Sequence, residues 1–138
     1  GATLCLHQDD LDLWTNLDVQ CRMFGVPYVA VPLPEYWIKD EERIMVGGVT
    51  VVGLHTPGHT PGSMSFHVPD ESLVLSGDTL FRGSIGRTDL WGGDFDAIER
   101  SIRERLYTLA DETTVVTGHG PETEIGVEKE SNQFFRVE

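Results

Sequence analysis

The sequence contains only two cysteines in 138 residues, and no apolar run approaches the length of a membrane-spanning helix. Cys5 and Cys21 lie 16 positions apart, a spacing that matches no metal or redox motif. We therefore expect two buried or half-buried free thiols and a reduced, cytoplasmic setting. A transmembrane helix needs about 20 consecutive apolar residues, so the sequence predicts no membrane-spanning segment.

Positive charge is also scarce. The chain has ten Lys and Arg residues against 23 Asp and Glu residues, which gives a formal net charge of −13. A surface of this sign repels phosphate backbones and anionic membranes at long range. We therefore expect neither nucleic acid nor a membrane as partner, and a small molecule as substrate.

A strand, a helix and an irregular connection are predicted for the first 41 residues. Residues 2–6 have the composition of a short strand, and the Asp9–Asp10 pair offers an acidic, capping-competent helix start. Residues 27–41 contain three prolines and predict a loop. The helix between them ends at Gly25 and has one apolar face, formed by Leu11, Trp14, Leu17, Cys21 and Phe24.

Strands are predicted for much of the remaining chain. The first two form a hairpin, because Gly47-Gly48 between them is a tight-turn signal. The fourth, at residues 72–75, is nearly all apolar and is expected to be buried on both faces. The predicted strands cover residues 43–46, 49–52, 64–68, 72–75 and 113–116.

Two helices are predicted in the second half. Asp94 is the expected N-cap of the stronger one, and a weaker helix is expected from about Glu122 to Gln133. Helices that alternate with strands and then follow them predict an α/β fold, with helices packed on one face of a mixed sheet. The apolar face of the stronger helix is Phe95, Ile98, Ile102, Leu106 and Leu109.

Three glycine-rich turns place a metal-capable side chain directly after a predicted strand. Glycine permits backbone conformations that other residues resist, so each turn can direct its side chain toward one edge of the sheet. Imidazole nitrogens and carboxylate oxygens bind zinc and also suit iron and manganese. Spacing alone does not distinguish a metal site from three turn residues. The side chains are His59 in 56–63, Asp78 in 76–79 and His119 in 117–120.

Four motifs resemble, in order and spacing, the second half of metallo-β-lactamase-fold hydrolases. The likeness is closest to the glyoxalase II-like (hydroxyacylglutathione hydrolase-like) branch and covers roughly residues 45–132. It implies the αββα sandwich of that family. The motifs are T-P-G-H-T-P-G-S at 56–63, G-D-T-L-F at 77–81, G-R-T-D at 86–89 and G-H-G-P at 118–121.

The resemblance also implies roles for the three side chains. His59 would bind the first of two zinc ions, His119 the second, and Asp78 would bridge both and serve as the catalytic carboxylate. Two such ions lower the pKa of a shared water toward about 7, which yields a hydroxide that attacks a thioester or related ester. Iron or manganese in place of zinc is the alternative.

Arg87, within G-R-T-D, has two interpretations. It aligns with a basic residue that glyoxalase II uses for a substrate carboxylate, to which a guanidinium binds through two parallel hydrogen bonds. The structural alternative is an ion pair with Asp89 or Asp94, which contributes little if exposed.

The remaining ligands of the family come from an upstream H-x-H-x-D-H motif, and this sequence contains no such string. His7, followed by Gln8-Asp9-Asp10, does not match it. We therefore expect residues 1–138 to form a single, N-terminally incomplete domain that lacks strands of the sandwich. Its uncovered sheet edge would favour self-association.

Three functions remain open at this point. A thioester hydrolase is favoured by the four motifs together. A mononuclear-iron persulfide dioxygenase shares T-P-G-H-T and G-R-T-D, but G-H-G-P at 118–121 favours the hydrolase. The third is a truncated, inactive half-site that folds and associates without turnover.

Overall fold

The computed structural model describes residues 1–138, and its N-terminal segment is a broken helix between two short, parallel strands. The helix ends at Gly25, which has the left-handed conformation (φ 66°) that the sequence predicts for a C-terminal glycine. The elements are, in chain order, β1 (Cys5–Leu6), a 3₁₀ turn (Gln8–Asp10), α1 (Leu11–Thr15), α2 (Leu17–Phe24) and β2 (Tyr36–Trp37).

The break in the helix occurs at Asn16, whose backbone leaves helical angles (φ −106°, ψ 24°). Its side-chain amide donates to the Asp12 carbonyl at 2.8 Å, a local bond that competes with the helical pattern. No residue of α1 or α2 is buried, and Phe24 on the predicted apolar face is 58% exposed. The periodicity thus predicts the helix, and its apolar face is half-buried except at Phe24.

A six-stranded mixed sheet forms the centre of the remaining chain, in the order β10-β9-β6-β5-β4-β3. Only β6 and β9 pair in parallel. The elements are β3 (Arg43–Val46), β4 (Val49–His55), β5 (Met64–Val68), β6 (Leu73–Gly77), β7 (Leu80–Phe81), β8 (Ser84–Ile85), α3 (Phe95–Ser101), β9 (Thr114–Thr117), β10 (Thr123–Glu124) and α4 (Ile125–Ser131).

Local sequence signals explain the predicted hairpin and the stronger helix. Gly47 and Gly48 both have positive φ (57° and 84°), as a tight two-residue hairpin turn requires. Asp94 caps α3, because its carboxylate accepts a hydrogen bond from the Ala97 amide at 2.9 Å. The helix continues beyond Ser101 as a π-helical turn, Ile102–Leu106. The weaker predicted helix is confirmed as α4, although it starts later than expected.

The core lies on one face of the sheet, beneath α3 and α4. Val74 of β6 is fully buried there, whereas its neighbour Leu75 is 41% exposed on the opposite face. Because successive strand residues point to opposite faces, helices on one side bury only alternate residues. The prediction that this strand is buried on both faces is therefore wrong. The fully buried apolar side chains are Val74, Leu80, Ile98, Ile102, Leu106, Val115 and Ile125.

The cysteines and the helices bear on two further predictions from the sequence. Both cysteines are free thiols; Cys21 is half-buried, as predicted, but Cys5 is exposed, so the prediction of burial is wrong for Cys5. Among the helices, none combines the length and the apolar character that crossing a bilayer requires.

Candidate metal centre

The three predicted ligands lie at one edge of the six-stranded sheet and line a single cavity of about 470 Å³. Asp78 is in the middle. Its Oδ2 is 3.6 Å from Nε2 of His59, and its Oδ1 is 3.8 Å from Nε2 of His119. Each carboxylate oxygen therefore faces a different imidazole.

Strand direction explains why these side chains meet. Strands β4 and β6 are both antiparallel to β5, so they run in the same direction, and β9 is parallel to β6. The carboxyl ends of all three strands therefore lie at the same edge. His59, Asp78 and His119 follow those ends by one to four residues.

Two glycines make room for Asp78. A Cβ atom at Gly118 would overlap Oδ1 of the Asp78 carboxylate, and one at Gly86 would overlap the Asp78 carbonyl oxygen. Any larger residue at either position must displace Asp78. The glycine of G-R-T-D is thus required by close packing against the Asp78 backbone, and the first glycine of G-H-G-P by close packing against its carboxylate.

The two imidazoles are held in different ways. Nδ1 of His59 donates to the Arg87 carbonyl at 2.9 Å, so Nε2, which is directed toward Asp78, is the nitrogen available to bind a metal ion. His119 instead packs its ring against Phe81, with centroids 4.6 Å apart. The side chain of His59 is 23% exposed and that of His119 is 76% exposed, so His59 is the more constrained of the two predicted ligands.

Asp10 holds the turn that carries His59. Its carboxylate accepts hydrogen bonds from the Thr60 hydroxyl at 2.8 Å and from the Gly62 amide at 2.6 Å. The sequence predicts Asp10 as part of a helix cap, but it makes no side-chain cap bond to α1. The N-terminal segment thus fixes the turn of His59 through Asp10, a contact that local sequence signals do not reveal.

We expect Asp10→Ala to lower the free energy of unfolding by about 1.5–3 kcal/mol, the usual effect of losing hydrogen bonds to a charged group. The measurement is chemical denaturation followed by circular dichroism. Asp70→Ala is the matched control, because Asp70 is exposed on a turn away from the cavity. Equal stabilities for the two variants would contradict the proposed role of Asp10.

The site geometry fits a bound divalent ion. Ligands at 2.0–2.2 Å from a tetrahedral zinc are about 3.3–3.6 Å from one another. The separations of 3.6 and 3.8 Å around Asp78 are close to that range and too long for direct hydrogen bonds. His59 and Asp78 could hold one ion, and His119 and Asp78 a second.

Arg87 lines the same cavity, but its guanidinium is engaged elsewhere. Nε and Nη2 donate to the two carboxylate oxygens of Asp89 at 2.8 and 2.9 Å. These bonds lower the pKa of Asp89 to about 2 and raise the pKa of Arg87. Of the two carboxylates considered as ion-pair partners from the sequence, Asp89 is the one found, and substrate binding by Arg87 stays a prediction.

A second cluster of ligand-type side chains lies nearby and was not predicted. Suitable atoms of His7, Asp9 and His55 are all within 4.8 Å of one another. However, the two imidazole rings are stacked, with centroids 4.0 Å apart and an interplanar angle of 14°. Stacked rings direct their in-plane lone pairs side by side, so both cannot point at one ion. Burial, and then the neighbouring His55, lower the pKa of His7.

Several known proteins are similar to this chain in sequence. The family model described as the Metallo-beta-lactamase superfamily matches residues 1–119. The chain is 41% identical to the probable metallo-hydrolase YqgX of Bacillus subtilis, over 94% of this chain and 62% of that protein. It is 40% identical to the hydroxyacylglutathione hydrolase GloC of Haemophilus influenzae, over 94% of this chain and 61% of that protein.

A solved structure shows the same relationship. The di-iron-bound crystal structure of TTHA1623 is 40% identical, with a TM-score of 0.88, and the match covers 96% of this chain and 65% of that one. The chain thus spans less than two thirds of the length of each of these relatives. The fold, the three convergent turns and the matches together show that the chain belongs to the metallo-beta-lactamase superfamily.

Proposed function

We propose that the protein is a metal-dependent hydrolase of the glyoxalase II-like type, which cleaves a thioester or related ester of a small molecule. One observation carries this proposal: a single carboxylate, Asp78, presents one oxygen to each of two imidazoles. The 40% identity to a protein named hydroxyacylglutathione hydrolase supports a thioester substrate. The activity is proposed for the full-length protein, because this chain spans only part of its relatives.

The residues of this chain have distinct tasks in the proposal. His59, Asp78 and His119 hold zinc, with iron as the alternative that the di-iron form of TTHA1623 supports, and manganese as a further one. When bound, such ions activate water and polarise the substrate carbonyl. Asp78 would contribute one carboxylate oxygen to the ion at each histidine, and the Arg87 carbonyl fixes the ring of His59. Phe81 limits the movement of the exposed His119 ring.

We also propose a cytoplasmic setting for this protein, because its two cysteines are free.

Self-association through the outer strand β3 is a second proposal. Met45 and Val46 of that strand are exposed, and the unpaired backbone edge of such a strand can pair with another chain.

Assays of the full-length protein with an S-acylglutathione and its oxygen-ester analogue test the proposed function. Release of thiol, followed with a thiol-reactive dye, should require bound metal and stop when a chelator removes it. Metal content is measured in parallel by mass spectrometry. The 138-residue chain is assayed beside the full-length protein, and we expect it to show little or no activity, since it supplies one histidine per ion.

Two outcomes would replace this proposal with another. Oxygen consumption with a glutathione persulfide, without thiol release from thioesters, would identify the iron-dependent dioxygenase alternative. Failure of both assays with the metal-loaded, full-length protein would favour a non-catalytic role.

A further inference from the structure

Arg82 is the cation of the cavity that has no partner within the protein. It lies on the turn between β7 and β8 and lines the same cavity as His59, Asp78 and His119. No Asp or Glu carboxylate lies within 4.0 Å of its guanidinium, and it donates no hydrogen bond to the protein. The other cation of the cavity, Arg87, is neutralised by two hydrogen bonds to Asp89.

The turn that carries Arg82 is anchored from behind by a buried carboxylate. Glu128 is fully buried, and its Oε2 accepts a hydrogen bond from the Gly83 amide at 2.9 Å. Asn132, also buried, donates to Glu128 at 2.7 Å and to the Ser84 carbonyl at 3.1 Å. These bonds fix both residues that follow Arg82.

Burial of the Glu128 carboxylate behind a short surface hairpin costs free energy. A carboxylate out of water is strongly disfavoured unless hydrogen bonds replace its hydration, and Glu128 obtains one more from the Thr123 hydroxyl at 2.6 Å. The result is a preorganised turn that presents an unpaired guanidinium to the cavity. Preorganisation of this kind is what a binding residue needs from its supporting groups.

The charge of Arg82 indicates the chemical class of the ligand. The net charge of −13 repels anions at long range, so an unpaired guanidinium beside the site is the local feature that favours an anionic substrate. Guanidinium binds carboxylate through two parallel hydrogen bonds. The cavity volume of about 470 Å³ is within the range of small-molecule sites, roughly 300–1,000 Å³. One molecule can therefore contact both the His and Asp cluster and Arg82.

We propose that Arg82, on a turn held in place by Glu128, binds a carboxylate of the substrate at a distance from the bond that is cleaved. The inference rests on the proposed hydrolase function and deepens it. The substrate class becomes acyl thioesters that carry a free carboxylate, in preference to neutral thioesters. Arg87 then contributes mainly through its backbone carbonyl, which orients His59.

The kinetic test compares two thioesters with the same acyl group, one with a free carboxylate and one with that group capped as an amide. In the full-length, metal-loaded protein, Arg82→Gln should raise KM for the carboxylate substrate about tenfold and leave kcat within about twofold, the signature of lost uniform binding. KM for the capped substrate should not change. Arg82→Lys should partly restore binding, since it keeps the charge without the planar fork.

Three further variants distinguish the specific position of Arg82 from the general loss of a positive charge. Arg43→Gln removes an exposed cation from β3, outside the cavity, and should have no effect. Arg87→Gln should change the ratio of the two KM values less than Arg82→Gln does. Glu128→Gln should raise KM for the carboxylate substrate alone, by less than Arg82→Gln, with its folded state checked by thermal denaturation.

The affinity of the protein for non-hydrolysable thioether analogues, measured by calorimetry, tests the role of Arg82 even if no turnover is found. Wild-type protein should prefer the carboxylate analogue over its amide, and Arg82→Gln should abolish that preference. Loss of turnover with this preference intact would reject only the hydrolase function. An unchanged preference in Arg82→Gln, or its loss in Arg87→Gln alone, would overturn the assignment of Arg82.

Discussion

Asp78→Asn is expected to reduce thioester hydrolysis by the full-length protein at least about 100-fold, comparable with removing a main electrostatic stabiliser of a reaction. The amide carries no charge and offers only one good acceptor atom. It therefore cannot bind both the ion held by His59 and the ion held by His119. We expect one of the two ions to be lost as well, which mass spectrometry of the desalted protein measures.

Asp70→Asn is the control for the effect of Asp78→Asn. It makes the same chemical change on an exposed turn outside the cavity, so activity and metal content should stay at wild-type values. Thermal stability of Asp78→Asn should change far less than its activity. Both ions retained together with near-normal hydrolysis would exclude Asp78 as a bridging ligand.

Gly118→Ala is expected to have the second-largest effect, through displacement of the same carboxylate. A Cβ atom at residue 118 would overlap Oδ1 of Asp78, and the backbone of Gly77 is in contact on the other side. Because the far end of a side chain moves more readily than the Gly77 backbone, we expect the carboxylate to be displaced from its position between the two imidazoles. We expect weaker metal binding and at least about a tenfold loss of activity, because small misplacements of catalytic groups are costly.

Gly53→Ala provides a matched substitution within the sheet. The nearest atom to an added Cβ at residue 53 is the flexible end of Met64, at 3.1 Å, and a flexible end can move aside. Metal binding by this variant should match that of the wild-type protein. If Gly118→Ala behaves like Gly53→Ala, the close approach of residue 118 to Asp78 has no functional role.

The parts of the fold that sequence predicts best are those that depend on neighbouring residues. The Gly47-Gly48 turn and the Asp94 cap follow from local backbone chemistry, and both are present. The ligand turns also have local signals, since each combines glycines with a metal-capable side chain at a strand end. The position of His59 beside Asp78 follows once the strand directions are known.

Contacts between distant residues are the parts that sequence does not predict. Asp10 bonds a residue 52 positions away, and Glu128 bonds one 45 positions away. Neither carboxylate has a local motif that distinguishes it from a solvated acidic residue. The exposure of Leu75 is missed for a related reason, because apolar composition does not report which sheet face the helices cover.

Anomalous X-ray diffraction from crystals of the full-length protein grown with zinc tests the central claim, the metal centre at Asp78, most directly. We expect one anomalous peak within about 2.0–2.2 Å of Nε2 of His59 and an Asp78 oxygen, and a second at the same distances from His119 and the other Asp78 oxygen. A zinc peak at the cluster of His7, Asp9 and His55, with none beside Asp78, would contradict the proposed metal centre.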